Sequence, residues 1–238
     1  MVTFRLAPAR LRAGRRIYAI GDVHGLADRL AAMHGAIAAD LAARPVTSAA
    51  ILYIGDYIDR GPGSGAVLAR LASGGAIPDA ETIHLLGNHE WMALRVLDGG
   101  SAEDARLWRM NGADATLRSW LIDPRSAPGT WAGRVPEEQL RLLRTLRSSY
   151  RDENYFFAHA GVRPGVPLEA QDEEDLVWIR EPFLSFKRGF GAVVVHGHTP
   201  ADAPVVRSNR IGIDTGAVYG GMLTAAVLEE DRLGFLQV

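Results

Sequence analysis

The sequence predicts an α/β layered domain, because short strand patterns alternate with helical ones. Five apolar runs, rich in β-branched or aromatic residues, are typical of buried strands. They are Ile17–Ile20, Ile51–Ile54, Ile83–Leu86, Tyr155–Ala158 and Val193–Val195. The first three lead into Gly-Asp or Gly-Asn steps at 22, 56 and 88, at intervals of 34 and 32 residues. A strand–helix–strand unit takes about 30 residues or more, so these intervals predict consecutive parallel strands.

Helical patterns fill the intervals between these runs. Apolar residues recur at helical spacing over Leu26–Ala43, and a shorter pattern covers Ala66–Leu71. The stretch 89–148 is predicted to be mostly helical. Its helical segments are Trp91–Leu97, Ala113–Leu121 and Pro136–Arg147. Beyond them, the sequence predicts further strands over Ile211–Asp214, Met222–Glu230 and Leu233–Val238.

A length of 238 residues favours one large domain, which we place at 16–238. The preceding segment, 1–15, is interpreted as a short basic arm in solvent. The first sixteen residues include five arginines and no acidic residue. A transit peptide has the same composition, but the segment is short and Pro8 interrupts it, so we favour the arm.

Composition excludes several classes of protein. The net charge of −2 gives no general attraction to nucleic acid or membrane surfaces. Cysteine is absent, which excludes disulfides, thiolate metal sites and a cysteine nucleophile. No apolar run reaches the ~18 residues needed to span a bilayer. We therefore expect a cytoplasmic protein with neither a nucleic-acid nor a membrane partner; its oligomeric state stays open, with a monomer favoured.

Polar side chains that can bind metals follow the predicted strands. They are Asp22, His24, Asp56, Asn88, His159 and His198. Oxygen and nitrogen donors without sulfur suit two divalent ions such as Mn, Fe, Zn or Co. In extended backbone, Asp22 and His24 lie on the same side of the chain, and Asp56 is the central candidate to bridge both ions.

The motifs around these residues resemble a known family. Gly21–Gly25, Gly55–Gly61 and Gly87–Glu90 are similar to the three signature motifs of the calcineurin-like metallophosphoesterases, and more narrowly to the phosphoprotein phosphatase branch. The similarity continues in order through Ala158–Gly161, Trp178–Glu181, Gly197–Pro200 and Ile213–Ala217. This order is most similar to the lambda-type Ser/Thr phosphatases of bacteria and bacteriophages. The resemblance covers about 16–228 and implies a β-sandwich flanked by helices, with metals at the strand ends.

The resemblance implies two divalent ions, Mn²⁺ by preference, with Fe, Zn, Co or Ni as alternatives. The first ion would be held by Asp22, His24 and Asp56, and the second by Asp56, Asn88, His159 and His198. Where some broader metallophosphoesterases carry another histidine, this chain has Pro200, which favours the narrower branch.

The catalytic roles implied by the resemblance fall on four further residues. His89 would be the general acid and Asp59 would orient it, while Arg60 and Arg180 would hold the phosphate oxygens. A hydroxide held between the metals would attack phosphorus in line. Two alternatives stay open, because His89 could instead cap a helix and Arg180 could form salt bridges within 172–175.

Three remaining histidines receive no catalytic role. His34 and His84 are interpreted as structural, and His196 as a neighbour of the site that does not bind metal. 

The predicted function is a metal-dependent phosphomonoesterase that hydrolyses phosphoserine and phosphothreonine in proteins, with phosphotyrosine a further candidate. The expected partner is a phosphoprotein or a phosphorylated small molecule. The first alternative is symmetrical cleavage of diadenosine tetraphosphate at the same two metals. The second is a phosphate-binding module without turnover.

Overall fold

The structure is a computed structural model that describes residues 2–74 and 77–238. It has two β-sheets flanked by helices, as the sequence predicted. In chain order the strands are β1 (Arg5–Leu6), β2 (Arg15–Ile20), β3 (Ser48–Tyr53), β4 (Glu81–His84), β5 (Ser149–Asp152), β6 (Tyr155–Ala158), β7 (Val193–His196), β8 (Val205–Val206), β9 (Arg210–Gly212), β10 (Thr224–Glu229) and β11 (Arg232–Gln237). The α-helices are α1 (Ala27–Ala43), α2 (Ser64–Ala72), α3 (Asn88–Leu97), α4 (Ala102–Met110), α5 (Ala113–Ser119), α6 (Glu137–Leu143) and α7 (Glu173–Trp178).

The first sheet has the strand order β1-β11-β10-β2-β3-β4, and the second β5-β6-β7-β9-β8. Strands β2, β3 and β4 are parallel neighbours, which confirms the prediction from the 34- and 32-residue intervals. Strands β6, β7 and β9 are also parallel neighbours. Since parallel strands end at the same edge, the polar residues that follow them are brought together.

Successive side chains of β2 point to opposite faces of the first sheet, and the core has a layer on each face. Ile17 and Ala19 pack toward the second sheet, in one cluster with Phe157 and Val195. Tyr18 and Ile20 point to the opposite face, in the cluster that the helices cover. This period of two is the pattern expected of a strand buried on both faces.

The amino-terminal segment differs from the basic arm in solvent that the sequence predicts. Over the described residues of 1–15, the chain does not extend into solvent as an arm: β1 pairs antiparallel with β11, and Leu11 is only 1% exposed. The basic residues are partly structural, because Arg15 and Arg16 lie in β2 and are both buried. Arg16 forms an ion pair with Glu229 at 2.7 Å, so the acidic partners come from distant strands.

Two helical predictions also change. Helix α4 lies within the stretch 89–148 that is predicted to be mostly helical, but it is not among the helical segments named there. It begins after Ser101, whose side chain accepts a hydrogen bond from the Asp104 amide at 3.1 Å. Helix α6 ends at Leu143 rather than Arg147, because the Arg147 amide bonds to the carbonyl oxygen of His84 beside β4. Within the described residues, no helix combines the length and apolarity that crossing a bilayer requires.

Candidate active site

The strand ends converge on a buried polar centre. Eight of the ten predicted site residues are at most 6% exposed: Asp22, His24, Asp56, Asp59, Asn88, His89, His159 and His198. The other two, Arg60 and Arg180, are exposed beside it. Apart from Arg180, these residues follow strands that run parallel to a neighbour, so the sheet topology produces the cluster.

Asp56 joins two groups of potential metal ligands. His24, Asp56 and His89 form one group, and Asp56, His159 and His198 form the other, with ligand atoms within 4.8 Å of one another. Each of the two carboxylate oxygens of Asp56 lies near a different group. Its Oδ2 lies 3.4 Å from His24 Nε2, and its Oδ1 lies 3.3 Å from His159 Nε2. A carboxylate in this position can bridge two ions.

Asn88 adds an oxygen to the second group. Its Oδ1 lies 3.0 Å from His159 Nε2 and 3.0 Å from His198 Nδ1. The side chain stands at the first residue of α3, directly beyond β4. 

Backbone carbonyl groups orient two of the histidine rings. His24 Nδ1 donates to the carbonyl oxygen of Ile58 at 2.9 Å, and His159 Nδ1 to that of Ile54 at 3.0 Å. These bonds leave Nε2 of each ring directed at the centre, as is usual for metal-binding histidines. Among the described residues, the buried Nε2 atoms of His89 and His198 have no hydrogen-bond partner. Free imidazole nitrogens beside carboxylates fit divalent metal ions.

Asp22 is held against the second ligand group by a glycine turn. Its carboxylate accepts a hydrogen bond from the His198 amide at 3.0 Å. A Cβ at Gly197 would lie 2.0 Å from Asp22 Oδ1, so any other residue there would displace the carboxylate or the backbone. Asp22 is not in either of the two histidine-containing groups, and His89 stands beside His24 and Asp56 instead.

Burial and neighbouring charges shift the pKa values of the buried groups in this centre. Burial raises the pKa of Asp22, and the carboxylate of Asp214 raises it further. Burial also acts to raise the pKa of Asp56, but His159 and His89 outweigh it and hold that pKa well below its usual range. Burial lowers the pKa of His24 to about 3, so this ring is neutral and able to bind a cation.

His89 and Asp59 form a buried pair on one side of the centre. His89 Nδ1 lies 2.7 Å from Asp59 Oδ2, which also accepts a hydrogen bond from Trp108 Nε1 at 2.8 Å. Asp59 Oδ1 accepts one from Thr116 Oγ1 at 2.6 Å. Burial acts to lower the pKa of His89, but Asp56 and Asp59 outweigh it and raise this pKa.

Backbone strain is concentrated at this centre. Non-glycine residues with left-handed φ include His24 (43°), Asp56 (54°), Asp59 (71°), Arg60 (67°) and His198 (63°). Such conformations cost about 1–3 kcal/mol each and tend to occur at functional sites. Five of them in one cluster indicate that the fold is organised around the position of these side chains.

Glu90 supports the loop that carries Asp56. Its carboxylate accepts hydrogen bonds from four backbone amides, those of Asp56 (2.8 Å), Tyr57 (2.7 Å), Ile58 (3.1 Å) and Gly87 (3.1 Å). Burial, and then the charge of Asp56, raise the pKa of Glu90 to about 7. This residue lies within the motif Gly87–Glu90, but the sequence analysis gave it no role.

The two arginines differ in their surroundings. The Arg60 guanidinium contacts Nε2 of His24 and lies 5.6 Å from the centre of the Tyr219 ring. Arg180 lines a cavity of about 630 Å³ with Trp178, whose ring lies 6.0 Å from that of His198. The anticipated salt-bridge alternative does not occur among the described residues, because Asp175 pairs with Arg163 instead.

The site has further residues that the sequence analysis missed. Trp108 is completely buried, and its indole Nε1 donates to Asp59. Thr116 binds the same carboxylate from 57 positions along the chain, and no local pattern signals that contact. Of the remaining histidines, His34 bonds to Tyr53 at 2.8 Å and His84 stacks on the same ring. His196 is buried beside Phe183.

This fold, with a histidine and carboxylate centre at its strand ends, defines a metal-dependent hydrolase. The family model described as calcineurin-like phosphoesterase matches residues 15–217. The chain belongs to this family, as the signature motifs predicted. It is a metallophosphoesterase, and membership implies divalent metal ions at the centre described above.

Two relatives and one solved structure illustrate the similarity. The chain is 32% identical to serine/threonine-protein phosphatase 1 of Salmonella typhimurium, over 90% of this chain and 93% of the relative. It is 33% identical to the symmetrical bis(5'-nucleosyl)-tetraphosphatase of Dechloromonas aromatica, over 91% of this chain and 94% of that relative. The structure of a cold-active protein-tyrosine phosphatase from a psychrophilic Shewanella shares the fold, with a TM-score of 0.57, 15% identity and coverage of 94% and 80%.

Proposed function

We propose that this chain is a metal-dependent phosphomonoesterase that hydrolyses phosphoserine and phosphothreonine in proteins. The observation that carries the proposal is the buried His89–Asp59 pair. Among the described residues, His89 Nε2 has no hydrogen-bond partner, and it lies 3.9 Å from Oδ2 of Asp56. A proton donor beside a metal centre suits cleavage of an ester whose leaving oxygen is a poor leaving group.

The metal ligands are assigned as the motifs suggest. Asp22, His24 and Asp56 would hold one ion, and Asp56, Asn88, His159 and His198 the other, with Mn²⁺ the preferred metal. When bound, two such ions supply a nucleophile at neutral pH and offset the negative charge of the phosphate oxygens.

The protein side chains handle the substrate and its proton. Arg60 and Arg180 hold phosphate oxygens, since guanidinium groups bind oxyanions with two parallel hydrogen bonds. As the bond from phosphorus to the ester oxygen breaks, His89 Nε2 gives its proton to that oxygen. Asp59 stabilises the protonated ring through Nδ1 and fixes its orientation.

The surface beside Arg180 supports a protein substrate. The cavity that Arg180 shares is lined by four carboxylates and two guanidinium groups, those of Asp172, Glu174, Asp175, Glu181, Arg163 and Arg180. Apart from Asp175, these carboxylates have no ion pair among the described residues. A tetraphosphate carries several negative charges and would be repelled here, whereas a phosphopeptide with one phosphate and basic neighbours would not. The similarity to serine/threonine-protein phosphatase 1 agrees with this choice.

A second candidate is the symmetrical hydrolysis of a dinucleoside tetraphosphate. The observation in its favour is Tyr219, which is 66% exposed and lies beside Arg60, where its ring could stack on a nucleobase. The similarity to the symmetrical tetraphosphatase supports the same reading.

The test is phosphate release from a phosphoserine peptide, measured beside the cleavage of diadenosine tetraphosphate, with manganese and with a chelator. We expect preference for the peptide and loss of both activities on chelation. A preference for the dinucleotide would overturn the protein substrate while leaving the metal assignment standing. Activity that survives complete chelation would overturn the metal assignment.

Matched variants make the substrate argument specific. Neutralising Glu174 and Glu181 (Glu174→Gln with Glu181→Gln) should increase the activity on diadenosine tetraphosphate relative to the peptide. Glu137→Gln with Glu138→Gln removes two charges from α6, away from the cavity lining, and should leave the ratio unchanged. An unchanged ratio in the first pair would contradict the repulsion argument.

A further inference from the structure

A buried arginine outside the active site lacks a carboxylate partner. Arg210, the first residue of β9, is only 9% exposed. Its Nη1 lies 3.2 Å from His196 Nε2, and its Nη2 donates to the carbonyl oxygen of Leu184 at 3.2 Å. Among the described residues, its buried Nε has no hydrogen-bond partner, and no carboxylate oxygen lies within 4.0 Å of the guanidinium. A buried charge is costly unless an opposite charge compensates it.

Two more cations surround the same cavity. Arg210 lines a cavity of about 450 Å³ together with Lys187, Arg207 and Ser208. No acidic residue is among its described lining residues. Neither Lys187 nor Arg207 forms an ion pair within the described part of the chain. The positive charge of Arg207 acts in the same direction as burial in lowering the pKa of Arg210.

Glu181 is the acidic residue among the described ones whose charge acts on Arg210, but it forms no ion pair with that guanidinium. Glu181 acts on the guanidinium at longer range, and its carboxylate accepts a hydrogen bond from the Ser185 hydroxyl. It does not line the cavity. Within the described residues, no carboxylate forms an ion pair with Arg210, Arg207 or Lys187.

The loop that carries Lys187 is fixed rather than free to move away. Asn209 is 5% exposed, and its Nδ2 donates to the carbonyl oxygens of Phe186 at 2.8 Å and Arg188 at 2.9 Å. These two bonds flank Lys187 and hold its backbone beside β9. The ring of Phe183 also lies 6.0 Å from the Arg210 guanidinium. A loop whose backbone is held in advance binds a ligand with a smaller loss of entropy.

We propose that Arg210, Arg207 and Lys187 form a binding site for a small tetrahedral oxyanion of the orthophosphate class, separate from the metal centre. Three cations around a cavity of this size can neutralise a dianion and donate hydrogen bonds to several of its oxygens. The bound anion would supply a negative charge beside the buried Arg210 guanidinium.

The site borders the catalytic centre through two short connections. The Leu184 carbonyl group that binds Arg210 belongs to a turn in which the Leu184 amide bonds to the Arg180 carbonyl oxygen at 2.9 Å. His196, which contacts Arg210 on the other side, precedes the metal-ligand candidate His198 by two residues. The described lining of the cavity includes none of the residues proposed to bind substrate and metal.

The sequence itself supplies a reporter, because Lys187 is the only lysine in the chain. The experiment measures the rate at which an amine-acylating reagent modifies Lys187 in the manganese-loaded protein, followed by peptide mass spectrometry. Orthophosphate is varied, sodium chloride holds the ionic strength constant, and free Nα-acetyl-lysine in the same tube controls for the reagent. Binding should slow the modification of Lys187 with a saturable dependence on phosphate. A rate that does not respond to phosphate would overturn the proposal.

Two variants test whether phosphate slows the modification of Lys187 by binding in this cavity. Arg207→Ala removes an exposed cation and should weaken the apparent phosphate affinity by about tenfold, as expected for one charge-assisted contact. Arg188→Ala removes the same charge from the loop that carries Lys187, but the Arg188 guanidinium lies over Phe186 and does not line the cavity. The phosphate affinity of the Arg188→Ala variant should stay within about threefold of that of the unchanged protein. Equal affinities in Arg207→Ala and the unchanged protein would overturn the proposal, as would equal loss in both variants.

Discussion

His89 Nδ1 lies 2.7 Å from Asp59 Oδ2, and both side chains are completely buried. Trp108 and Thr116 hold the carboxylate from two other directions, at 2.8 Å and 2.6 Å. A carboxylate fixed in this way keeps a proton on Nδ1 of the ring and directs Nε2 toward the metal centre. The pair therefore combines a raised histidine pKa with a defined orientation, which are the two properties a general acid needs.

Removal of the Asp59 charge should change the pH dependence of turnover. Asp59→Asn lowers the pKa of His89, because the carboxylate that favours the protonated ring is lost. A general acid is active below its pKa, so the alkaline limb of the kcat profile should move to lower pH, with kcat reduced throughout. Asp98→Asn removes an exposed carboxylate paired with Arg144 and should leave the profile unchanged. An alkaline limb in the same place in Asp59→Asn would mean that another group sets it.

Glu90→Gln should weaken both the fold and the metal site. The carboxylate accepts four backbone amide hydrogen bonds, and a glutamine side chain places an NH₂ group against some of those donors. A buried donor left unsatisfied costs about 1–3 kcal/mol, which lowers Tm by roughly 2–12 °C in a protein of this size. Thermal unfolding and manganese titration measure the two effects. The exposed Glu103→Gln serves as control, and an unchanged Tm in Glu90→Gln would contradict this role.

A single methyl group at position 197 should disturb Asp22. In Gly197→Ala the added Cβ would meet Asp22 Oδ1 at 2.0 Å, so the carboxylate or the backbone must shift. We expect lower manganese affinity and at least a tenfold loss of kcat/KM, since small displacements of catalytic groups are costly. Gly35→Ala is the matched control, because nothing lies within 4 Å of its added Cβ in α1. That variant should keep full activity and gain about 0.5–1 kcal/mol of stability. Normal metal affinity in Gly197→Ala would show that Asp22 tolerates the displacement.

Much of the centre could be predicted because its residues follow strands. The run Ile51–Ile54 predicts a buried strand, and parallel pairing then places Asp56 beside the polar groups that end the neighbouring strands. The contacts of Thr116 and Trp108 with Asp59 could not be predicted, since they depend on how α4 and α5 pack over the first sheet. The position of the amino-terminal segment likewise depends on pairing with β11, more than 200 residues away.

The role of His89 as general acid is tested most directly by comparing two leaving groups in His89→Ala. Para-nitrophenolate departs from phosphorus without a proton, whereas the serine oxygen of a phosphoserine peptide needs one. A general acid contributes about 10²–10⁴-fold, so kcat on the peptide should fall by that factor, while kcat on para-nitrophenyl phosphate should fall by less than about tenfold. An equal loss on both substrates, or near-normal turnover of the peptide, would contradict the assignment.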